Sequence, residues 1–373
     1  MSATHRLKQQ KRAIIQRHAK PDNLIAWTQV ATTLGPIGLL WWGAAHLASV
    51  SYWAALAMIL PMSLFTLRVL VLMHECGHGS LFGASWLNRT FGFVFGVVAG
   101  MPQYVWSQHH DFHHAHNGNW EKYRGPLTSP SVEEFDAMTS AQRRLYQRTR
   151  SIAVAPLGGF VYLLFNPRFT WLKGTMDLAI HLVRRKLAQP DVSLREHAET
   201  FQARYWKCQT EYWHMFWNNL TLIACWILMS QAIGAAVFFS IYILSVSLAG
   251  GVGIMLFTVQ HNFEHAYARD SESWDYDAGA MHGTSFLELP GWLNWFTANI
   301  AYHHVHHMSA KIPNYRLAKC HEENLELFAD VTRIRMRDIP HALTCLLWDS
   351  RAQRIISFAE YEQRQSRSNP LVQ

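Results

Sequence analysis

Long apolar stretches alternate with strongly polar ones along the chain, and the alternation predicts the layout. Leu24 to Ser49 is apolar for about 26 residues, which at ~1.5 Å per helical residue crosses the ~30 Å hydrocarbon layer of a bilayer. Ser51 to Met73 is a second such stretch, with a bend expected at Pro61. No charged residue separates the two, so they predict a tight helical hairpin. Met215 to Ile233 and Ala235 to Gln260 predict a second hairpin, joined at Gly234. Phe91–Pro102 and Ile152–Phe165 are apolar but short and interrupted by Gly or Pro, and are expected to be buried or re-entrant, not spanning. The first stretch follows a basic run, is too long for a signal-peptide core and carries no small-residue cleavage site, so it reads as a retained span.

Composition agrees with this layout. Only 16% of the 373 residues are charged, against about a quarter in ordinary soluble domains. The deficit is local: between Asn23 and His74 the one Asp, Glu, Lys or Arg is Arg68, and between Glu211 and Glu264 there is none. A disordered chain, a secreted disulfide scaffold and a plain cytosolic enzyme are thereby excluded. The net charge of +7 comes from cations scattered among Trp-rich and apolar stretches, which reads as membrane topology and not as a nucleic-acid surface. Residues 1–23 hold 6 Lys and Arg, 74–213 hold 15, 261–373 hold 11, and the two hairpins hold 1. With an even number of spans, all three basic segments share one face, which the positive-inside rule makes cytoplasmic. Five cysteines without a CxxC pair give neither a disulfide framework nor a zinc ribbon and suit a reducing compartment.

The expected architecture is therefore an all-α integral membrane protein with four transmembrane helices and a cytoplasmic helical cap. Its parts are a basic N-terminus (1–23), hairpin one (24–73), a cytoplasmic region with interfacial helices (74–213), hairpin two (214–260), a cytoplasmic cap (261–362) and a flexible tail (363–373). Leu178–Trp217, with Arg184, Arg185 and Lys186 followed by Trp206, Trp213 and Trp217, suits a helix lying in the headgroup layer. Both termini are expected in the cytoplasm, in a bacterial inner membrane.

The 22 histidines carry the chemistry. HECGH supplies His74 and His78; HHDFHHAH supplies His110, His113 and His114; HHVHH supplies His303, His306 and His307. Positions i, i+3 and i+4 of a helix share a face, so each box can aim two or three imidazoles at one point. At this histidine frequency an HxxHH match arises by chance roughly 0.08 times in such a chain, and there are two. His74 and His78 follow the second span, and His261 and His265 sit at the foot of the fourth, so the candidates converge where lipid meets cytosol. Eight or nine imidazoles exceed what one ion accepts and imply two ions, although imidazole suits iron, copper, nickel and zinc alike. Glu75, Asp111, Glu264, Asp275 and Asp277 are candidate hydrogen-bond acceptors for the ring N–H groups. HECGH also matches the HExxH of zinc metalloproteases, with Glu75 as base, but a one-zinc intramembrane protease leaves six or more clustered histidines without a role. Two redox-capable ions at a lipid boundary suit oxygen activation against an unactivated C–H bond.

The boxes, their order relative to four spans and their flanks resemble the membrane fatty acid desaturase family, most of all bacterial and cyanobacterial delta-12-type acyl-lipid desaturases. The matching stretches are HECGHGSLF (His74–Phe82), HDFHHA (His110–Ala115), VQHNFE (Val259–Glu264), WDYDAGAMHGTSF (Trp274–Phe286) and NIAYHHVHHMSAKIPNYRLAKCHE (Asn299–Glu322). The resemblance implies two non-haem iron ions held by His74, His78, His110, His113, His114, His303, His306 and His307. His261 would be an additional ligand, with His265 fitting less well. It further implies O2 as co-substrate, an acyl lipid or acyl thioester substrate, and an external electron donor. HPGG, the mark of a fused haem domain, is absent, so a ferredoxin-like protein or flavoprotein is the expected donor. The implied activity is placement of a cis double bond. A membrane hydroxylase or carotenoid oxygenase is the alternative; a metal sensor or transporter is disfavoured because the spans hold no ionisable pathway beyond Arg68. NGNWEKYRGPL, after the second box, departs from the family pattern.

Overall fold

The computed structural model describes residues 3–125 and 127–368. Five helices among the described residues are long and apolar enough to cross a membrane: Asn23–Val50, Tyr52–His78, Ile152–Ala188, Gln209–Ile233 and Ala235–His261. Four of them form the two expected hairpins. Half of the most apolar window of Tyr52–His78 and of Ala235–His261 is buried, against 17–22% in the other three, so these two helices are central. Asp22 starts the first helix by accepting from the backbone N–H groups of Leu24 and Ile25. Pro61 does not break the second: its missing donor is absorbed by a tight turn at Leu56–Met58, one turn earlier.

The fifth long helix corrects the expected length of Ile152–Phe165. That segment does not stop at Phe165 but continues past Pro167 to Ala188 through a π-helical turn at Val161–Phe165. Pro167 has no N–H to give the Leu163 carbonyl, and Arg168 replaces it, donating to Leu163 O (2.8 Å) and Leu164 O (3.3 Å). Gly159 crosses Gly250 and Gly251 so closely that a Cβ there would lie 2.5 Å from Gly251 N and Ser247 O.

Leu178–Trp217 is not one interfacial helix either. The helix ends at Ala188 before Pro190, Ser193 caps a short helix at Leu194–Glu199, and the chain stays irregular until Gln209. Arg68 is buried: Nε donates to Thr33 Oγ1 (3.0 Å), Nη1 donates to the Trp295 carbonyl, and the guanidinium lies 4.0 Å over the Trp295 ring.

Helices dominate, with two small sheets among the described residues. Phe286–Glu288 pairs in parallel with Arg333–Arg335, Leu287 opposite Ile334, and Leu347–Asp349 pairs antiparallel with Arg354–Ile356. The basic N-terminus folds as a helix, Ala3–His18, whose Leu7 and Ile14 enter a core with Met281, Val305, Met308 and Leu317. The expected loose tail is helical over Phe358–Ser368, held by Arg354 and Arg364 on Glu360; residues 369–373 lie outside the described residues.

Candidate metal centre

Three helix ends and one short helix bring the histidines together. Tyr52–His78 carries His74 and His78 one turn apart, and Gly79, at φ +66°, ends the helix directly after His78. Gln103–His116 carries His110, His113 and His114; His303–Met308 carries His303, His306 and His307; His261 closes Ala235–His261. Two groups result. His74, His78, His110, His114 and His306 form one, His113, His261, His303 and His307 the other, and each group's candidate ligand nitrogens lie within 4.8 Å of one another. All nine rings are buried. The His114 and His307 rings stack at 4.1 Å and join the groups.

The hydrogen bonds fix which nitrogen faces inward. His74 Nδ1 bonds Glu75 Oε1 at 3.0 Å, His78 Nδ1 lies 3.4 Å from Asp111 Oδ1, and His261 Nδ1 faces Gly283 O at 3.3 Å. An Nδ1–H in each case leaves Nε2 as a lone pair pointing into the group. Elsewhere Nε2 meets Nε2: His110–His114 at 3.0 Å, His114–His306 at 3.0 Å, His113–His307 at 3.2 Å and His261–His303 at 2.8 Å. His74 Nε2 and His78 Nε2 are buried without a protein partner. Converging lone pairs in a dry interior repel unless a cation lies among them, so the donor set fits two metal ions. Burial, reinforced by neighbouring imidazoles, pushes His110, His113, His114, His303, His306 and His307 well below the usual histidine range, which keeps them neutral and able to ligate.

Not every candidate belongs to this centre. His265 is exposed, at φ +69°, in neither group; the helix ends at His261, so the i+4 spacing that would have aligned the two is lost. Glu264 pairs with His341 at 2.9 Å. Asp275 and Asp277 receive Lys8 (2.5 Å) and Lys11 (2.6 Å), so they fasten the N-terminal helix and support no ligand. Glu75 and Asp111 do meet ligands. Glu75 is fully buried, and its Oε2 accepts from Ser80 Oγ (2.9 Å) and Asn314 N (3.0 Å), so no oxygen is free to activate the water a protease would need. His116 turns back to Phe112 O, His304 is buried against His321, and His109 stands at the edge of the slot described next.

A slot of ≈ 360 Å³ opens from the ligands between the two central helices. His74, Val71, Leu70 and Leu67 line it from one helix; Gln260, Phe257, Gly253 and Gly250 line it from the other. Leu67 lies seven positions before His74 and Gly250 eleven before His261, so the slot descends about 10 to 16 Å from the histidine groups. Trp106, stacked on His110 at 4.6 Å, and Phe257, 4.9 Å from the His113 ring, line its upper part. Neither had been singled out in the sequence, although each precedes a ligand by one helical turn. Tyr276, whose hydroxyl donates to His307 O at 3.1 Å, was also missed.

Fold and site define a membrane protein with paired polyhistidine clusters at the head of an apolar slot. The family model for Fatty acid desaturase matches residues 50–339, and the chain belongs to that family. A Fatty acid desaturase of Bacillus subtilis (strain 168) is 28% identical over 91% of this chain and 88% of its own length. The sn-1 oleoyl-lipid 12-desaturase of Anabaena variabilis is 20% identical over 84% of this chain and 79% of its own. That of Synechocystis is 22% identical over 79% and 74%. The chain is thus an oxidoreductase that desaturates fatty acids.

Proposed function

We propose that this desaturase holds two iron ions, one per histidine group, and forms a cis double bond in an acyl chain lying in the slot, with the 12 position of an oleoyl lipid the first to test. The observation that carries the reading is the junction of the two groups with the slot: His74, His110, His113 and His303 are ligand candidates and slot walls at once. With iron bound, the reaction takes two hydrogens from adjacent carbons, two electrons from an external donor and two protons, and reduces dioxygen to two waters. The chain's own residues supply the setting. Nine imidazoles would hold the metals, Glu75 and Asp111 fix two ring orientations, and Val71, Leu70 and Phe257 present hydrocarbon while excluding water. A ferredoxin-like protein or flavoprotein is the proposed donor, on the cytoplasmic side of the inner membrane.

In this reading four of the five long helices cross the bilayer. Just before Ile152–Ala188, Tyr146 donates to Leu346 O of the cap and Arg150 to Leu127 O; further along, Gly174 meets Trp206 immediately before the second hairpin begins. The start of that helix thus lies on the cap side and its second half packs beside the start of the second hairpin, which supports a bent re-entrant path and cytoplasmic termini. The test is expression in a host lacking polyunsaturated lipids, with iron counted per chain and double bonds located by gas chromatography and mass spectrometry. Dienoic lipid and two irons are expected. Oxygenated acyl products without a new double bond, or one zinc in place of iron, refute the reading.

A further inference from the structure

The helix Ala235–His261 carries three glycines within four residues, Gly250, Gly251 and Gly253, where each weakens a helix relative to alanine. Two are explained by contact. A Cβ on Gly250 would fall 2.7 Å from Leu163 and 2.8 Å from Gly159, and one on Gly251 would fall 2.8 Å from the backbone of Ala155 and Pro156. Gly253 is different: a Cβ there meets nothing within 4 Å. Crossing geometry therefore does not demand the third glycine.

Its position does. Gly253 lines the slot, on the helix face it shares with Gly250 and Phe257, and it lies eight residues, about 12 Å, from His261. A side chain at this point enters open space at the slot wall. We propose that the missing side chain of Gly253 sets how deep an acyl chain passes beyond the metals, and so fixes the longest chain the enzyme accepts. The inference rests on the reading that the slot holds the acyl chain.

Gly253→Leu and Gly253→Ala are compared with the full-length wild-type protein on a ladder of acyl chains from myristoyl to stearoyl and their monounsaturated counterparts. Because one methylene in an apolar pocket is worth about tenfold or more in discrimination, Gly253→Leu is expected to lower the ratio of longest- to shortest-chain turnover at least tenfold. Gly253→Ala is expected to shift it the same way, less strongly. Iron per chain stays at the wild-type value in Gly253→Ala and the thermal midpoint holds or rises, because the added methyl touches nothing and alanine favours the helix; a residue kept for folding would lower both. An unchanged chain-length profile in a Gly253→Leu protein that retains iron overturns the proposal. So does an unchanged ratio in Gly253→Ala when Gly253→Leu fails to fold. A wild-type enzyme that desaturates no chain removes the underlying reading instead, and this inference with it.

Discussion

Replacing Glu75 by glutamine tests whether the centre is built from the second partner of each imidazole inward. The carboxylate accepts three hydrogen bonds, from His74 Nδ1 on one oxygen and from Ser80 Oγ and the Asn314 N–H on the other. An amide has one acceptor, so either choice fails. With its oxygen toward Ser80 and Asn314, the NH2 faces His74 Nδ1; the ring must then take the other tautomer, and Nε2 carries a proton where it should carry a lone pair. With its oxygen toward His74, the buried Asn314 N–H meets a donor and loses its partner, at about 1–3 kcal/mol. Loss of such an outer partner typically weakens metal affinity 10–100-fold, or about 1.4–2.7 kcal/mol. The assay is anaerobic titration of metal-free Glu75→Gln protein with Fe(II), followed by iron counting and Mössbauer spectroscopy. Of the two proposed iron sites, the His74 group should weaken by that factor while the His261 group, whose support comes from Gly283 O, holds. Two irons bound at wild-type affinity would refute the argument.

Three further outcomes follow from other parts of the molecule. Gly159→Leu should cost more than about 2 kcal/mol, read as a lowered thermal midpoint in detergent, because the new side chain meets the backbone of Ser247 and Gly251, which cannot give way. Chelating iron from the purified enzyme should lower the midpoint by at least about 5 °C, since at a hundredfold excess over Kd each site contributes about 2.7 kcal/mol to a fold of this size. The Phe358–Ser368 helix should become protease-sensitive in acid. Arg354, donating to both Glu360 oxygens at 2.9 and 2.6 Å, holds that carboxyl below its usual range; the stabilisation is present above the unfolded carboxyl's pKa of about 4.3 and is lost as pH falls through the lower folded value. Proteolysis of the C-terminal helix that does not change between neutral pH and the range below about 4 would contradict this.

What the sequence disclosed, and what it hid, divides along the range of the interactions. The hairpins were legible because an apolar run must satisfy its own backbone inside a bilayer, and that requirement acts residue by residue. The boxes were legible because ligand spacing on a helix is a local rule. The helix beyond Phe165 was not, since Gly158, Gly159 and Pro167 read locally as interruptions. Only the distant Ser247–Gly251 face makes Gly159 a crossing point, and only Arg168 folding back onto Leu163 lets the chain turn on through Pro167. The five carboxylates behave the same way. Glu75 reaches the imidazole of His74, one residue before it, so adjacency alone pointed to the contact. Asp111 stands beside His110 but reaches His78 on another helix, and Asp275 and Asp277 find their partners 267 and 266 residues away on the N-terminal helix, contacts that no local spacing encodes. The choice between His261 and His265 turned on where one helix stops, a matter of a single residue at Asn262 that no periodicity encodes. The slot is the extreme case. It has no motif because apolar residues line it, and its one odd feature, a glycine with nothing to avoid, becomes visible only once the contacts of its two neighbours account for them.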